Sequence, residues 1–296
     1  MRPGREPGVG TRRQRLPRRS RGASDPVPRS PISMAPMELE GGVAVVTGGA
    51  RGIGRALCRR LAAEGMGVVV ADVDGEGAEA VAAEVGGLGV ACDVAVDAEV
   101  AALVERAEAE RGPVDLYCSN AGIAVRGGPE VADADWERIW RVNVMGHVHA
   151  ARAVLPGMRA RRRGHLLATV SAAALLNHVL AAPYAVTKSA ALSLLEWLAI
   201  AHGDEGIGVS CLCPQGVRTE MAAAEGPAIG LLGEPLDPEV VADAAVAGVR
   251  TGRFLILPHP EVAEFARRRA ADHDRWLRGM RRLRSRVLAG AAEGRP

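Results

Sequence analysis

The feature that most constrains the fold is a regular alternation of short apolar runs with longer segments of helical character. The apolar runs include 43–47, 67–71 and 207–212, which have the composition of short buried strands. The segments between them are about ten residues or longer, which matches right-handed crossover helices between parallel strands. We therefore predict an α/β fold, a doubly wound parallel sheet of the Rossmann type with helices on both faces, formed as a single domain.

A glycine-rich turn follows the first predicted strand directly. The strand reads V-A-V-V-T over 43–47, the turn reads G-G-A-R-G-I-G over 48–54, and a helical run leads to a second strand that ends at Asp72. Glycines allow a tight turn and close approach of the backbone to a pyrophosphate, which the N-terminus of the next helix attracts. This strand–turn–helix–strand order turns a bare glycine pattern into a prediction of dinucleotide binding.

Asp72 and Arg51 bear on which dinucleotide is bound. Asp72 follows Gly54 by eighteen residues, close to the offset of an acid that hydrogen-bonds the adenosine ribose. A carboxylate there repels a 2′-phosphate and favours NAD. Arg51 is a counter-signal, because a guanidinium in the turn attracts such a phosphate. We give Asp72 more weight and predict NAD, with NADP as the less favoured cofactor.

Tyr184 and Lys188 are the candidate acid/base pair. They are four residues apart, so they share one face if the segment is helical. A phenol with its usual pKa of about 10 is a poor base at neutral pH. A neighbouring cation lowers that pKa and suits the phenol to proton transfer with an alcohol or ketone. Lys188 is the only lysine in an arginine-rich chain; the pair alone also describes a solvated helix face.

Other polar residues stand where further predicted strands end. Asp93 follows the strand at 88–92, Asn120 follows 114–118, Ser171 follows 164–170 and Pro214 follows 207–212. In open α/β sheets, ligands bind beyond the carboxyl ends of the strands. These residues are therefore expected at the same edge of the sheet as the glycine turn, and we predict one site there.

With these residues in view, the chain resembles the short-chain dehydrogenase/reductase family, over about residues 40–257. Thr47 to Gly54 is similar to the family's cofactor loop, and 214–219 to the loop that holds the nicotinamide, with Gln215 where glycine is usual. That departure concerns backbone shape, since glycine tolerates positive φ more readily. The resemblance implies that the cofactor-binding residues are Gly48, Arg51, Gly52, Ile53, Gly54, Asp72, Asp93, Val94, Asn120, Ala121, Gly122, Tyr184, Lys188, Pro214, Val217 and Thr219.

The resemblance also implies a catalytic tetrad of Asn143, Ser171, Tyr184 and Lys188, with no metal. Tyr184 would exchange a proton with the substrate oxygen while a hydride moves between the substrate carbon and the nicotinamide. Ser171 would hydrogen-bond the reacting oxygen. Lys188 would lower the pKa of Tyr184 and bind the nicotinamide ribose, and Asn143 would hold a relay water.

Two segments are expected to wall the substrate site, 172–183 and 220–236. Both are dominated by Ala, Leu, Gly and Ile, and no Arg or Lys occurs between 219 and 249 to hold a carboxylate or phosphate. We therefore predict hydride transfer between NAD(H) and a neutral, largely apolar secondary alcohol or ketone. The second segment is expected to act as a lid. His178 is expected either to be an exposed loop residue or to bond a distal polar group.

Two alternative functions remain open. One is a 3-ketoacyl-thioester reductase of the same family, against which Asp72 and the missing basic clamp argue. The other is a dinucleotide-binding regulator without turnover, which would not need the intact Tyr184 and Lys188. Replacing the phenol of Tyr184 separates catalysis from binding alone.

Composition separates the two ends of the chain from its body. Residues 1–36 are Arg- and Pro-rich and are predicted to be a disordered extension, 37–258 to be the catalytic domain, and 259–296 to be an Arg-rich helical extension. The last is read as a solvated amphipathic helix, or else as a contact for an acidic partner or subunit. Most of the surplus positive charge lies in residues 1–33, so the body is mildly acidic and nucleic acid is not expected as a partner.

The remaining composition bears on location and assembly. Five cysteines are scattered, with no second pair or histidine at metal-ligand spacing beside Cys211 and Cys213, and no apolar run is long enough to span a membrane. We predict a cytoplasmic protein with reduced thiols. The family resemblance suggests a homodimer or homotetramer.

Overall fold

The sheet is the central layer of the computed structural model, which describes residues 36–223 and 234–293. Within those ranges it has seven parallel strands: β1 (Val43–Thr47), β2 (Gly67–Asp72), β3 (Leu88–Ala91), β4 (Val114–Ser119), β5 (Gly164–Thr169), β6 (Ile207–Leu212) and β7 (Leu255–Ile256). The predicted disorder before residue 36 and most of the predicted lid fall outside the described residues.

Helices cover both faces of the sheet. They are α1 (Gly52–Ala63), α2 (Gly75–Val85), α3 (Asp97–Arg111), α4 (Asp133–Trp140), α5 (Gly146–Arg161), α6 (Ala172–Leu176), α7 (Ala182–His202), α8 (Glu220–Ala223), α9 (Pro238–Arg250), α10 (Glu261–Ala271) and α11 (His273–Glu293). All the described residues belong to one compact unit. The predicted doubly wound, single-domain α/β fold is confirmed.

The strand order places a switch point in the middle of the sheet. Across the sheet the order is β3-β2-β1-β4-β5-β6-β7, so the chain builds outward from β1 and then returns to pair β4 with the other edge of β1. At such a point the crossover connections leave the sheet in opposite directions and open a crevice at the carboxyl ends of the strands. The segments that follow β1 and β4 flank this crevice.

Alternation along the strands divides the core into two layers. In β1, Val45 packs in the layer with α3, α5 and α7, while Ala44 and Val46 pack in the layer with α1, α2 and α9. Successive strand residues point to opposite faces, so a strand buried on both sides must be apolar throughout. This explains why the strand segments appear in the sequence as continuous apolar runs.

Two local features differ from the predicted secondary structure. The helix expected over about 133–160 is interrupted by a π-helical turn at Arg141–Met145, which separates α4 from α5 and contains Asn143. The loop expected after β5 begins with the short helix α6, which Ser171 caps. Both departures involve predicted catalytic residues, Asn143 in the π-helical turn and Ser171 at the start of α6. π-helical turns of this kind are often found at functional sites.

The described residues also bear on membranes, metals and thiols. No helix in 36–223 or 234–293 has both the length and the hydropathy to cross a bilayer. In the same ranges, no three His, Cys, Asp or Glu side chains gather as a metal site. All five cysteines are free and buried; burial raises the pKa of the Cys58 thiol to about 12 and so keeps that thiol protonated at neutral pH.

Candidate active site

A cavity of about 1700 Å³ opens at the carboxyl edge of the sheet. All the residues predicted to bind the cofactor line it, as do Ser171, Tyr184 and Lys188. Asn143 is not on the wall but is fully buried. Sites for a single small ligand are typically about 300–1,000 Å³. This cavity therefore has room for a dinucleotide and a second molecule.

The glycine turn is shaped so that side chains are excluded from it. Gly48 has φ of +63°, in the left-handed region that favours glycine. A Cβ on Gly54 would clash with the carbonyl oxygen of Gly48. Gly52 begins α1, and this first turn lines the cavity. Free backbone amides at a helix N-terminus bind anions, so the cradle fits the pyrophosphate of a dinucleotide.

Asp72 ends β2 and braces the glycine turn. Its buried carboxylate accepts hydrogen bonds from the backbone amides of Ala50 and Asp74, both at 3.1 Å. Arg51 lies nearby, with its guanidinium 3.1 Å from Glu220 and 4.0 Å from Asp74. The hydrogen bond to Glu220 raises the pKa of Arg51. The positive charge of Arg51 is thus shared between two carboxylates of the protein.

Asp93 and Val94 continue the wall beyond β3. The Asp93 carboxylate accepts from the backbone amide of Ala95 at 2.9 Å, which stabilises the turn. The carbonyl oxygen of Val94 lies 2.9 Å from Nδ1 of the buried His149 on α5. The turn is therefore fixed at both residues.

Asn120 links the ends of three strands. Its Nδ2 donates to the carbonyl oxygens of Thr47 (3.0 Å) and Gly48 (3.2 Å), and its Oδ1 accepts from the Thr169 hydroxyl at 2.9 Å. These bonds join the ends of β1 and β5 to the segment after β4. They fix the crevice at the switch point of the sheet, as the family resemblance implies for this segment.

Tyr184 and Lys188 lie one turn apart on α7, so the helix that their spacing required is present. The Lys188 Nζ is 5.6 Å from the centroid of the Tyr184 ring and donates to the carbonyl oxygen of Thr169 at 3.0 Å. Burial lowers the pKa of Lys188 to about 8, and the Cys213 and Cys211 thiols oppose that shift. A buried cation thus stands beside the phenol at neutral pH.

Ser171 has a structural bond that leaves its hydroxyl hydrogen available. It precedes α6, and its Oγ accepts from the backbone amide of Ala173 at 3.0 Å. Because a hydroxyl both donates and accepts, this N-cap uses a lone pair and not the hydrogen. Ser171 is buried at the cavity wall, where it can donate to a bound oxygen.

Asn143 is buried behind the residues that line the cavity. Its Nδ2 donates to the carbonyl oxygen of Ile123 (2.9 Å) and lies 3.3 Å from the Thr187 hydroxyl, while its Oδ1 accepts from the amide of Ile123 (2.9 Å). A Cβ on Gly122 would lie 3.3 Å from the Asn143 Oδ1 and 3.4 Å from the Lys188 Nζ. The side chain therefore joins the segment after β4 to α7, close to Lys188.

Gln215 does not need the conformation that glycine favours. Its φ is not positive, and its backbone amide donates to Nδ1 of His259 at 3.1 Å. His259 is buried, and burial lowers its pKa, which favours the neutral ring that can accept this bond. The loop containing Pro214, Val217 and Thr219 lines the cavity despite the substitution.

His178 lies beside Tyr184. It is half-buried, lines the cavity, and meets the ring of Tyr184 edge-on with the two centroids 6.1 Å apart. The alternative of an exposed loop histidine is therefore wrong. Its ring is therefore part of the cavity wall next to Tyr184.

Sequence reasoning missed a third wall of the cavity. We call α10 and α11 (261–293) the C-terminal arm; its residues Phe265, Trp276, Met280, Leu283 and Val287 line the cavity. The segment forms two helices, and their apolar residues are turned to the cavity, a placement that the expectation of a solvated amphipathic helix did not specify. The apolar spacing was the available signal, although spacing alone does not say what a helix packs against.

The arm also overturns the premise of a site without basic residues. Arg275, Arg282 and Arg286 line the cavity from α11. The expectation rested on 219–249, which contain no Arg or Lys. The cations arrive instead from a segment that is distant in the chain, so the walls are not confined to the two predicted segments.

The amino-acid sequence is similar to a known protein family and to individual proteins of known name. A family model described as short chain dehydrogenase matches residues 42–229. Momilactone A synthase of Oryza sativa subsp. japonica is 33% identical over 263 residues, which cover 84% of this chain and 90% of that protein.

Two solved structures are similar over most of the chain. A short chain dehydrogenase/reductase from Burkholderia phymatum, in complex with NAD, has a TM-score of 0.75 at 31% identity and covers 80% of this chain and 96% of that chain. A 3-ketoacyl-(acyl-carrier-protein) reductase from Brucella melitensis, complexed with NADH, has a TM-score of 0.68 at 31% identity, with 74% and 97% covered. The C-terminal arm lies beyond the family model's match.

Proposed function

Because the chain belongs to the short chain dehydrogenase family, we propose that it transfers a hydride between NAD(H) and a largely apolar secondary alcohol or ketone, with Tyr184 as acid and base. The observation that carries this proposal is the placement of Tyr184, Lys188 and Ser171 on the wall of one cavity that also contains the glycine cradle. A proton-transfer group, a cation and a hydrogen-bond donor thus meet beside a dinucleotide-shaped site.

The residues divide the chemistry among them. The dinucleotide, when bound, accepts or supplies the hydride. Tyr184 takes the hydroxyl proton as a phenolate in oxidation and donates the same proton as a phenol in reduction. Ser171 donates its hydroxyl hydrogen to the reacting oxygen, where negative charge develops.

Lys188 and Asn143 support this centre from behind. With a pKa lowered by burial to about 8, Lys188 is still mainly protonated at pH 7 and favours the phenolate of Tyr184. Asn143 holds the segment after β4 against α7 through Ile123 and Thr187. A relay water at Asn143 would have to use a second lone pair of Oδ1 or the backbone, because the other polar groups are bonded.

Two contacts support a preference for NAD. Asp72 lines the cavity at the end of β2 and is held there by two backbone amides, so a 2′-phosphate nearby would meet a fixed carboxylate. Arg51 is paired with Glu220 and Asp74, which reduces its attraction for such a phosphate. Both contacts act in the same direction.

The surface of α7 supports a homodimer or homotetramer. Trp197 and Ile200 are large apolar residues of which 60% and 84% are exposed. Apolar side chains of this size on neighbouring turns are typical of a contact surface. The mass of the purified protein in solution would decide the point.

The test is turnover at the reduced-nicotinamide absorbance band, with NAD or NADP and a panel of apolar secondary alcohols. Tyr184→Phe should lower kcat by about 10²–10⁴-fold while NADH binding, measured by fluorescence, is kept. The matched control is Tyr117→Phe, because Tyr117 is buried in the core and its hydroxyl has no hydrogen-bond partner in the described part of the chain.

The outcomes distinguish the competing functions. Full activity in Tyr184→Phe would show that another group moves the proton. Binding of NADH by the wild-type protein without turnover of any alcohol or ketone would favour the dinucleotide-binding regulator. A preference for NADP would show that Arg51 outweighs Asp72.

A further inference from the structure

The C-terminal arm is packed on the segment that follows Ser171. Val262 of α10 is fully buried and clusters with Ala172 and Leu176 of α6, and Phe265 and Trp276 pack against the same cluster. A buried apolar cluster of this kind holds the arm on the substrate side of the cavity, away from the glycine turn.

Two arginines add polar links between the arm and this segment. Arg269 of α10 donates to the carbonyl oxygen of Leu175. Arg284 of α11 donates through Nε to the carbonyl oxygen of Val179 at 3.1 Å. Leu175 and Val179 belong to the connection between Ser171 and Tyr184, so the arm is attached to the residues that flank the reaction centre.

Helix α11 presents an apolar stripe and a cationic stripe to the same cavity. The apolar stripe is Trp276, Met280, Leu283 and Val287, and the cationic stripe is Arg275, Arg282 and Arg286. Residues spaced by three, four or seven share a helix face, and the two stripes are adjacent. A molecule in this half of the cavity therefore meets apolar surface and guanidinium groups side by side.

The cationic stripe is not neutralised by the described protein. In residues 36–223 and 234–293, Arg275, Arg282 and Arg286 make no ion pair and no side-chain hydrogen bond, whereas Arg267 and Arg268 on the preceding helix pair with Glu264. Guanidinium groups bind carboxylates, sulfates and phosphates through paired hydrogen bonds. The stripe is suited to such a group on a ligand.

Two further arginines, outside the arm, line the same cavity. Arg126, after β4, and Arg141, in the π-helical turn, also line the cavity, as do the acids Glu137 and Asp272. The phosphates of a dinucleotide are accounted for by the glycine turn. The three α11 arginines, which have no side-chain partner among the described residues, are therefore left for the substrate.

We propose that the substrate is an amphipathic anion: a largely apolar alcohol or ketone with a carboxylate, sulfate or phosphate remote from the reacting carbon. This inference rests on the proposed function and names the substrate class of the same site. The reacting oxygen lies at Ser171 and Tyr184, the apolar body packs on the apolar stripe, and the anion binds Arg282 and Arg286. It replaces the neutral substrate expected from sequence.

The test measures ligand charge selectivity in the full chain saturated with NAD. Calorimetry compares decanoate with its uncharged methyl ester, and decanoyl-coenzyme A as a second source of anionic groups. In Arg282→Gln/Arg286→Gln, the Kd for decanoate should rise about tenfold or more, while that for the methyl ester stays the same. The decanoate affinity of the wild type should also fall as ionic strength increases.

The matched control is Arg278→Gln/Arg281→Gln, which removes the same charge from two positions of the same helix that do not line the cavity. It should leave the Kd for decanoate unchanged. An equal loss of decanoate affinity in both double variants would show a general effect of the helix's positive charge. Equal affinity of the wild type for decanoate and its methyl ester would show a site that does not select for charge. Either result overturns the proposal. If the Arg282→Gln/Arg286→Gln variant lost affinity for decanoyl-coenzyme A alone, the arginines would bind a carrier group and not an anion on the substrate chain. That result would also overturn the proposal.

The two proposals fail in different measurements. Thermal unfolding of each variant confirms that the arm is folded before binding is compared. Measurements of turnover, and of its dependence on Tyr184, test the proposed function. The difference between acid and ester belongs to this inference and is measured without turnover.

Discussion

The proposed cofactor side of the cavity, formed by the glycine turn, and its proposed substrate side, formed by the C-terminal arm, are made in different ways. On the cofactor side, the wall is main chain: the backbone of Gly48 and Gly54 approaches so closely that a Cβ cannot be added, and Asn120 holds the strand ends together. On the substrate side, the wall is made by side chains of α11, which the contacts of Val262 and Arg284 hold in place.

This difference predicts which side of the cavity tolerates amino-acid substitutions. A main-chain cradle has a fixed shape, so almost any added atom disrupts it. A wall of side chains on a separate helix pair can be altered residue by residue while the sheet stays intact. We therefore expect substitutions on the cofactor side to abolish function and substitutions in the arm to alter specificity.

The largest effect is expected at Lys188, which lines the cavity beside Tyr184. Lys188→Met should lower turnover by about 10²–10⁴-fold, because the phenolate loses its cation. It should also stabilise the apoprotein at pH 7. The folded pKa of about 8 lies below the ordinary 10.5, so the buried cation costs up to about 3 kcal/mol.

The size of that stability effect depends on pH, while its sign does not. Below pH 8 the lysine is charged in both the folded and the unfolded states, so its full cost is present. Between pH 8 and 10.5 the folded protein releases the proton first, and wild-type stability rises toward that of the variant. Urea unfolding across this range measures the gap; a variant that is less stable at pH 7 would show that the bond to Thr169 compensates the charge.

Gly54→Ala tests the main-chain side. The added Cβ would clash with the Gly48 carbonyl and crowd Asn120, so NADH affinity should fall by about 100-fold, equivalent to about 3 kcal/mol of strain. Gly203→Ala is the control, because a Cβ there meets nothing within 4 Å. Fluorescence titration with NADH makes the comparison, and an unchanged affinity in Gly54→Ala would contradict a rigid cradle.

Val262→Ala tests the side-chain wall and should have the smallest effect. Removing two methyl groups from a fully buried site should weaken docking of the arm by about 2 kcal/mol. KM for the substrate should rise several-fold while NADH affinity is unchanged, and hydrogen exchange should increase in α10 and α11. Leu277→Ala, at an exposed position of the same arm, serves as the control. If NADH affinity in Val262→Ala fell by as large a factor as KM rises, the two sides of the cavity would be coupled.

Much of the fold and of the candidate site could be predicted because it depends on short-range patterns. Apolar runs identify β1 to β6, glycines identify the turn after β1, and a spacing of four places Tyr184 and Lys188 on one helix face. The parallel order then brings Asp72, Asn120 and Ser171 to one edge of the sheet. The roles of these residues and the cytoplasmic location remain predictions.

Contacts between distant segments could not be predicted in the same way. The strands, the glycine turn and the spacing of the acid/base pair follow from the sequence, because each depends on residues close together in the chain. Three features depend on the folded chain instead: the bond of Asn143 to Ile123, the bond of Gln215 to His259, and the arginines of the arm that line the cavity. Periodicity shows which side of α11 is apolar, but what covers that side depends on the packing of the whole molecule.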